Sequence, residues 1–392
     1  MTPGSIPGTW QHGDDPGARQ FVYLTNGGRG FDLEGGGWLP EVTVAFETWG
    51  RLNAARSNAV LVEHALTGDS HATGPAGPGH PTPGWWDGII GPGAAIDTDE
   101  YFVVCPNVLG GCQGTTGPSS TRPDGTRYGS GFPIITIRDQ VVVEAAFADE
   151  IGVDRWASVI GGSMGGMRAL EWCVGFSDRV DSAVVLAVGA AASADQIALC
   201  SIQARAIRGD AAFAKGDYYD TGDRPTGGLA VARAIGHLSY RTGAELDARF
   251  GRRDQDGEEP LLGGRYAIES YLEYHGGKLA DRFDPNSYVV LSEAMNHHDV
   301  GRGRDGVQHA LTHVTAAMTV AGVDSDRLYP IGQQDEIAEY LPGETPVQII
   351  ESISGHDGFL SEFDQVGAIV RRAMDERRAR ARATTPSDAA SR

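Results

Sequence analysis

A serine at the centre of a glycine-rich turn is the most chemically suggestive feature of this chain of 392 residues. The turn, Gly161-Gly162-Ser163-Met164-Gly165, follows the apolar run Trp156 to Ile160 and precedes Met167 to Val174. Small flanking residues are required where a serine takes a strained backbone conformation between a strand and a helix. The pattern predicts a nucleophile elbow with Ser163 as nucleophile. An ordinary turn between a strand and a helix is the alternative.

A serine hydroxyl is a weak nucleophile at neutral pH, so this hypothesis requires a general base and a carboxylate that orients it. His356, in a Ser-Gly-His-Asp-Gly turn, and Asp326 each follow a strand-like apolar run. Open α/β sheets place their sites at these carboxyl ends of strands. The chain order Ser163, Asp326, His356 is that of α/β-hydrolase triads. Asp324 is the close rival for the carboxylate, and a capping or solvated histidine is the alternative for His356.

Two backbone N–H groups must stabilise the oxyanion that forms when the serine attacks a carbonyl carbon. The residue after the nucleophile supplies one of them in such sites, and here it is Met164. The early strand Ala59 to His64 runs into the loop Ala65-Leu66-Thr67-Gly68, so we expect the N–H of Leu66 to be the second. A loop that merely ends the strand is the alternative.

Short apolar runs rich in β-branched residues alternate with helical segments along the chain. Near-continuous apolar character is typical of buried, largely parallel strands. The predicted strands are Val42 to Thr48, Ala59 to His64, Tyr101 to Pro106, Trp156 to Ile160, Ser182 to Val188, Ala316 to Val320 and Val347 to Ile353. Helices are predicted at Ile137 to Ile151 and Met167 to Phe176. This alternation predicts an α/β fold with a mostly parallel wound sheet that helices cover on both faces.

The alternation stops between residues 189 and 309, where helical stretches such as Ala192 to Ile207, Leu229 to Leu238 and Arg265 to Leu272 occur without strong strand signals. We therefore expect residues 1–188 and 310–378 to form a discontinuous catalytic core that ends in a helix from Gly358 to Met374. Residues 189–309 are expected to form an inserted helical lid. The polar residues 379–392 are predicted to be a disordered tail.

Composition disfavours several classes of protein. The net charge of −20 argues against binding to nucleic acid or to anionic membranes. No run approaches the roughly 18 apolar residues of a membrane span, and the first 20 residues lack the pattern of a signal peptide, so we expect a cytoplasmic protein. Neither a zinc site nor a disulfide is indicated by the spacing of the cysteines, which are expected to be reduced and mostly buried. They are Cys105, Cys112, Cys173 and Cys200.

Three other motifs partly match the patterns of other functional classes, but each lacks a feature that its class requires. The segment 301–306 matches the glycine pattern of dinucleotide-binding oxidoreductases, but the polar residues 293–299 before it do not indicate a strand. The segment Gly110 to Gly117 lacks the Gly-Lys-Ser/Thr ending of a phosphate-binding loop. His309 and His313 lack the intervening glutamate of a zinc protease, so a solvated helix face is the favoured interpretation.

Five motifs in collinear order resemble those of the homoserine O-acetyltransferases. They are His64-Ala65-Leu66-Thr67-Gly68, Gly110-Gly111-Cys112-Gln113-Gly114-Thr115-Thr116-Gly117-Pro118, Gly161-Gly162-Ser163-Met164-Gly165-Gly166, Ser325-Asp326-Arg327-Leu328-Tyr329-Pro330 and Gly355-His356-Asp357-Gly358-Phe359-Leu360. The resemblance spans roughly Phe21 to Met374. It implies the α/β-hydrolase fold, a helical lid over a deep, narrow tunnel, and a homodimer that associates largely through the lid.

The resemblance also implies a function and further site residues. The reaction would be ping-pong transfer of acetyl from the co-substrate acetyl-CoA to the hydroxyl of L-homoserine, which yields a precursor of methionine, with no metal and no permanently bound cofactor. Arg233 would bind the homoserine carboxylate, Asp357 the ammonium, and Tyr240 would line the pocket. A surface ion pair is the alternative for Arg233, and a helix N-cap for Asp357. Arg168 replaces a glutamine that many family members have, and is expected to alter charge near the tunnel.

The sequence does not decide which acyl donor and which acyl acceptor the enzyme uses. Related acyltransferases share the elbow and the triad, so a succinyl donor or a serine acceptor fits the same residues. An esterase or amidase would use the same triad with water as the acceptor.

Overall fold

The computed structural model describes residues 8–384 and confirms the α/β class. Its strands are β1 Gln20–Leu24, β2 Phe31–Asp32, β3 Trp38–Leu39, β4 Val42–Trp49, β5 Ala59–Glu63, β6 Ile90–Gly91, β7 Ile96–Asp97, β8 Phe102–Pro106, β9 Ser158–Gly162, β10 Ser182–Leu186, β11 Ala317–Val323 and β12 Gln348–Ile350. Its α-helices are α1 Ile137–Glu150, α2 Met164–Gly175, α3 Ala194–Arg208, α4 Thr226–Tyr240, α5 Gly243–Arg249, α6 Ala267–Ala280, α7 Pro285–Asn296, α8 Val307–Thr312, α9 Ile331–Tyr340, α10 Gly358–Ser361 and α11 Phe363–Thr384.

Eight strands form one sheet in the order β1-β4-β8-β5-β9-β10-β11-β12. The pairs from β8 through β12 are parallel, whereas β4 is antiparallel to both β1 and β8. Every residue of β5, β9 and β10 is buried, as expected for central strands that are covered on both faces. The mostly parallel wound sheet predicted from the apolar runs is therefore confirmed.

Alternate residues of the central strands pack into two cores on opposite faces of the sheet. Leu61 and Val185 belong to the larger core, together with apolar residues of α1 and α2. Val60 and Val184 belong to the second core, together with apolar residues of α11. These helices cover the faces of the sheet and leave the carboxyl ends of the strands free for loops.

Helices α3 to α8 lie in the chain between the neighbouring strands β10 and β11. Helix α4 packs against α3 and α6. Helices α4 and α6 approach each other closely at Gly276 of α6, which has no side chain. A Cβ atom at this position would lie 2.9 Å from the carbonyl oxygen of Ala230 in α4. Leu229 and Ala232 form part of the buried face of α4. This group of helices occupies the region of the predicted insertion.

The C-terminal helical region differs from the prediction in two ways. The single helix expected from Gly358 to Met374 is two helices, because the chain breaks at Glu362, whose backbone has φ −88° and ψ 60°. The carboxylate of Glu362 accepts a hydrogen bond from the Ser352 hydroxyl at 2.6 Å. Helix α11 then continues to Thr384, so the prediction of disorder is wrong for residues 379–384. The rest of the predicted tail, residues 385–392, lies outside the described residues.

Ion pairs with the core account for part of the unexpected length of α11. Arg377 donates to the Asp181 carboxylate at 3.1 Å and to the Ser57 carbonyl at 2.7 Å. Arg378 pairs with Glu100. The arginine-rich sequence that indicates a polar tail therefore also supplies contacts that anchor this helix.

Among the described residues, no helix combines the length and apolar character that crossing a membrane requires.

Candidate active site

Ser163 lies at the turn between β9 and α2, with φ 56° and ψ −126°. The conformation is strained for a residue with a side chain, and a hydrogen bond from its N–H to the Leu186 carbonyl at 3.0 Å supports it. A Cβ atom at Gly165 would lie 2.1 Å from the carbonyl oxygen of Glu63, and one at Gly161 would lie 2.3 Å from the carbonyl oxygen of Gly165. The flanking glycines are therefore required by close backbone approach, and the predicted elbow is present.

The three predicted triad side chains meet in one hydrogen-bonded chain. His356 Nε2 lies 2.8 Å from Ser163 Oγ, and His356 Nδ1 lies 2.7 Å from Asp326 Oδ2. All three side chains are buried. The geometry is suitable for the imidazole to remove the serine proton while the carboxylate fixes its orientation and tautomer.

The second oxygen of Asp326 is fixed by the backbone. Its Oδ1 accepts hydrogen bonds from the N–H groups of Leu328 at 2.8 Å and Tyr329 at 2.9 Å. The rival carboxylate, Asp324, instead accepts the N–H of Ser352 at 3.0 Å. The structure therefore places Asp326, and not Asp324, against the histidine.

His356 follows β12 in a short 3-10 helix, Gly355–Asp357, and packs against the rings of Tyr240 and Tyr329. Burial disfavours the imidazolium form, but the charge and hydrogen bond of Asp326, with the charge of Asp357, outweigh burial and raise the pKa of His356 above its ordinary value of 6.5. A raised pKa strengthens the imidazole as a proton acceptor from Ser163.

The two predicted oxyanion donors are the N–H groups of Met164, which follows Ser163 in the chain, and of Leu66, which follows the neighbouring strand β5. Met164 is the first residue of α2, where a helix leaves its N–H without an intrahelical acceptor. Leu66 follows β5, the strand paired with β9, and in the described part of the chain its N–H donates to no backbone or side-chain acceptor. Both N–H groups are therefore available to an oxygen atom of a bound substrate.

Arg233 lies on α4 and is half-buried. Its Nη1 lies 3.5 Å from Thr67 Oγ1, and its guanidinium lies over the Tyr240 ring, 5.8 Å from the ring centroid. Within residues 8–384 it makes no ion pair with a carboxylate, so a surface ion pair does not explain it. A guanidinium without a protein carboxylate can accept the carboxylate of a ligand.

Two histidines close to Arg233 are held in the neutral form. Burial, with the positive charge of Arg233 as the next cause, lowers the pKa of His237 to about 2 and that of His275 to about 4. Neither ring therefore adds a cation to this part of the lid at neutral pH.

Asp357 does not have the contact expected of a helix N-cap, because its side chain makes no capping hydrogen bond to α10. Its Oδ2 lies 3.1 Å from Nε of Arg241, which also pairs with Glu245 at 3.1 Å. Arg241, at the end of α4, was not identified from the sequence, where nothing distinguishes it from the other arginines of the region. The carboxylate of Asp357 thus lies beside His356 and is partly neutralised by the lid.

Arg168 corrects an expectation. Its side chain is completely buried and contacts Glu63 and Glu144, each within 2.8 Å. The expected effect on charge near the tunnel is therefore wrong, since the guanidinium lies in the core behind the elbow and its charge is matched locally.

One group of potential metal ligands occurs among the described residues, comprising Glu47, His71 and His80. Their ligand atoms lie within 4.8 Å of one another. The two imidazole rings are stacked, with 3.9 Å between centroids and 11° between planes. Because a histidine binds a metal through a lone pair in its ring plane, nearly parallel rings cannot direct both lone pairs to one ion without rotating. The carboxylate of Glu47 accepts hydrogen bonds from the Ser70 hydroxyl at 2.7 Å and from His71 Nδ1 at 3.0 Å, and His80 Nε2 lies 3.4 Å from its Oε1.

The other motifs do not form sites. The glycine-rich segment 301–306 is a loop between α7 and α8 and follows no strand, which removes the structural context of dinucleotide binding. His309 and His313 are exposed, and each Nδ1 bonds a backbone carbonyl, which confirms the solvated interpretation. The four cysteines are free, and three of them are buried, as predicted.

Comparisons with known proteins agree with this geometry. Residues 58–363 match the family model of the alpha/beta hydrolase fold. A homoserine O-acetyltransferase of Thermobifida fusca (strain YX) is 59% identical over 94% of this chain and 96% of its own. One of Clavibacter michiganensis subsp. michiganensis is 55% identical over 94% and 95%.

The solved structures that superpose well on this chain include both acetyltransferases and esterases. A homoserine O-acetyltransferase from Bacillus anthracis superposes with a TM-score of 0.82 at 26% identity, covering 91% of this chain and 97% of that chain. Esterase E22 superposes with the same TM-score and identity, covering 91% and 99%. The fold and triad alone are therefore compatible with transfer to either an alcohol or water.

Proposed function

The chain belongs to the homoserine O-acetyltransferases of the α/β-hydrolase fold and is an acyltransferase, and we propose that it transfers acetyl from acetyl-CoA to L-homoserine by way of Ser163. The hydrogen-bonded chain from Asp326 through His356 to Ser163 is the observation that supports this mechanism most strongly. It gives the nucleophile a general base within hydrogen-bond reach and gives that base a carboxylate that orients it.

In the first half-reaction, Ser163 Oγ attacks the thioester carbon of acetyl-CoA while His356 Nε2 takes the serine proton. The N–H groups of Leu66 and Met164 stabilise the negative oxygen of the tetrahedral intermediate. Collapse breaks the carbon–sulfur bond, and His356 returns the proton to the departing sulfur. Free CoA leaves, and acetyl-Ser163 remains.

In the second half-reaction, the homoserine hydroxyl occupies the position that the sulfur has left. His356 takes the hydroxyl proton as the oxygen attacks the acetyl carbon, and the same N–H groups stabilise the second tetrahedral intermediate. Its collapse releases O-acetylhomoserine and returns the proton to Ser163. Acceptor and donor therefore use one base and one oxyanion site in turn.

The amino-acid part of homoserine fits the charges around the triad. The guanidinium of Arg233, which pairs with no carboxylate among residues 8–384, is suited to bind the carboxylate, and Asp357 is suited to bind the ammonium. The ring of Tyr240 contacts both Arg233 and His356, so it is suited to line the pocket between Arg233 and the triad. Water offers neither charge, so these contacts favour homoserine over water as the acceptor.

We also infer that the enzyme is a cytoplasmic homodimer that associates through the lid helices. Free, mostly buried thiols fit a reducing compartment. The described lid helices expose several large apolar side chains, a feature typical of interaction surfaces. They are Ile197, Ile202, Val231, Leu238 and Tyr274.

Measurement of free thiol released from an acyl-CoA tests the proposed reaction. Acetyl-CoA and succinyl-CoA are each supplied with homoserine, with serine or with water alone, and the Ser163→Ala variant is the matched control. We expect sustained thiol release only from acetyl-CoA with homoserine, about one equivalent of thiol per Ser163 from acetyl-CoA without an acceptor, and none above background from the variant. Equal sustained release with water alone would establish a hydrolase, and release only from succinyl-CoA with homoserine would establish a different donor.

A further inference from the structure

Arg168 reaches the strand that leads to the oxyanion hole, although it does not contact the triad. We propose that Arg168 is a positioning residue, which holds the backbone carbonyl of His64 and thereby directs the N–H of Leu66 at the reacting oxygen. The inference rests on the proposed function, because it takes Leu66 as an oxyanion donor.

The contacts of Arg168 are short and shielded from water. Its Nη2 donates to the carbonyl oxygen of His64 at 2.8 Å. Its Nη1 donates to Glu144 Oε1 at 2.7 Å and lies 2.8 Å from Glu63 Oε2. The Arg168 side chain is fully buried. A charged donor in such surroundings forms a stronger hydrogen bond than a neutral donor at the surface.

The charge of this cluster is balanced locally. Burial raises the pKa of Glu63 well above its usual range, with Arg168 opposing the shift and Glu144 adding to it. The carboxyl groups of Glu63 and Glu144 both lie within 2.8 Å of Nη1 of the guanidinium. Trp172 Nε1 donates to Glu144 Oε2 at 3.0 Å, which fixes that carboxylate in place. The guanidinium therefore has a fixed position from which to bind the His64 carbonyl.

The imidazole of His64 holds the next peptide group. Burial, followed by the charge of Arg168, lowers the pKa of His64 to about 3, so the ring is neutral and has one N–H. Val108 N–H donates to Nε2 at 3.1 Å, so the proton is on Nδ1, which donates to the Ala65 carbonyl at 2.8 Å.

Two consecutive peptide planes are thus fixed before the oxyanion donor. Arg168 binds the carbonyl of His64, and the imidazole binds the carbonyl of Ala65. The Ala65 carbonyl and the Leu66 N–H belong to one planar peptide group, so fixing the carbonyl also fixes the direction of the N–H. Removal of Arg168 would free the first plane, and the direction of the second would then depend on the imidazole and on the Gly68 N–H, which donates to the same Ala65 carbonyl at 2.9 Å.

The test compares two variants of the same buried cluster. Arg168→Met removes the bond to the His64 carbonyl, whereas Glu144→Gln perturbs the ion cluster and leaves that bond in place. The rate of Ser163 acetylation by acetyl-CoA is measured by rapid mixing without homoserine, together with the KM of each substrate and the thermal stability of each variant. Both variants are expected to lose stability.

We expect Arg168→Met to slow acetylation by about 10- to 100-fold, less than the loss of a whole oxyanion donor, with both KM values nearly unchanged. Glu144→Gln is expected to acetylate at nearly the wild-type rate. Equal slowing in both variants, or an unchanged rate in Arg168→Met, would overturn the proposal and leave Arg168 with a purely structural role.

A folding defect would not prevent the test. If Arg168→Met does not fold, the double variant Arg168→Met/Glu144→Gln removes the cation together with its carboxylate and is compared with Glu144→Gln alone under the same expectations. The wild-type protein separates this result from failure of the proposed function, because a wrong function would leave the wild type itself without acetylation by acetyl-CoA.

Discussion

At the residue scale, Asp326 does more than orient an imidazole. It contributes to a raised pKa for His356, and the base must be neutral to accept the serine proton. Activity is therefore lost as pH falls through this pKa. We expect the acidic limb of kcat/KM for acetyl-CoA to lie above pH 6.5, the ordinary histidine value.

Replacement Asp326→Asn removes the charge that favours imidazolium and allows the wrong tautomer. The acidic limb is expected to move to lower pH while the rate falls by about 10⁴-fold. A pH profile of kcat/KM for each variant measures both effects. Asp324→Asn is the matched control, since Asp324 contacts Ser352 and not His356. An unchanged limb in Asp326→Asn, or an equal loss in Asp324→Asn, would contradict this role.

The sequence allowed us to name three residues whose side chains meet in the structure, because strand ends are recognisable from apolar runs and the chain order of such residues is restricted by the fold. The ion pair between Arg241 and Asp357 could not be predicted from the sequence. Arg241 belongs to the lid and Asp357 to the core, and the two residues become neighbours only in the folded chain. Sequence reasoning misplaced Arg168 for a related reason. The position of Arg168 after the elbow led to the expected effect on charge near the tunnel, whereas the buried carboxyl groups of Glu63 and Glu144 beside it make a core position favourable.

At the element scale, the elbow depends on the contact between α2 and the end of β5. We predict that Gly165→Ala destabilises the protein by about 2 kcal/mol or more and reduces acetyl transfer, because the new Cβ would collide with the Glu63 carbonyl. Denaturant unfolding, with activity measured in parallel, checks both effects.

The control for this substitution is Gly277→Ala in α6, where a Cβ atom meets nothing within 4 Å. Alanine is the better helix former, so a gain of up to about 1 kcal/mol is expected there. Wild-type stability and activity in Gly165→Ala would show that the close approach of α2 to β5 is not required.

The order of the strands and helices could be predicted from the sequence more completely than the residues at which they begin and end. Continuous apolar runs marked the parallel strands. The antiparallel strand β1 at the sheet edge was not predicted, because four of its five residues are half-buried or exposed. The division between α10 and α11 depends on a hydrogen bond between Glu362 and Ser352, two residues of different elements. Local periodicity contains no signal for such a contact.

At the scale of the whole molecule, the apolar residues exposed on α4 support a dimer through the lid. Val231 and Leu238 are seven residues apart and therefore share one helix face. We predict that the wild type has twice the mass of one chain in light scattering after size exclusion, and that Val231→Glu/Leu238→Glu has the mass of one chain.

Tyr23→Glu, which alters an exposed apolar residue on β1 outside the lid, is the control and is expected to remain dimeric. A monomeric wild type, or a dimer that survives the double substitution on α4 and is lost in Tyr23→Glu, would contradict the assignment of the interface to the lid.

In the proposed reaction, acetyl rests on Ser163 after it leaves acetyl-CoA and before it reaches homoserine. The most direct test is to incubate the protein with acetyl-CoA in the absence of homoserine, digest it, and locate added acetyl by peptide mass spectrometry. We predict one acetyl group on the Ser163 side chain, removal of that group with formation of O-acetylhomoserine when homoserine is added, and none in Ser163→Ala. CoA release that requires homoserine and leaves Ser163 unmodified would contradict the account.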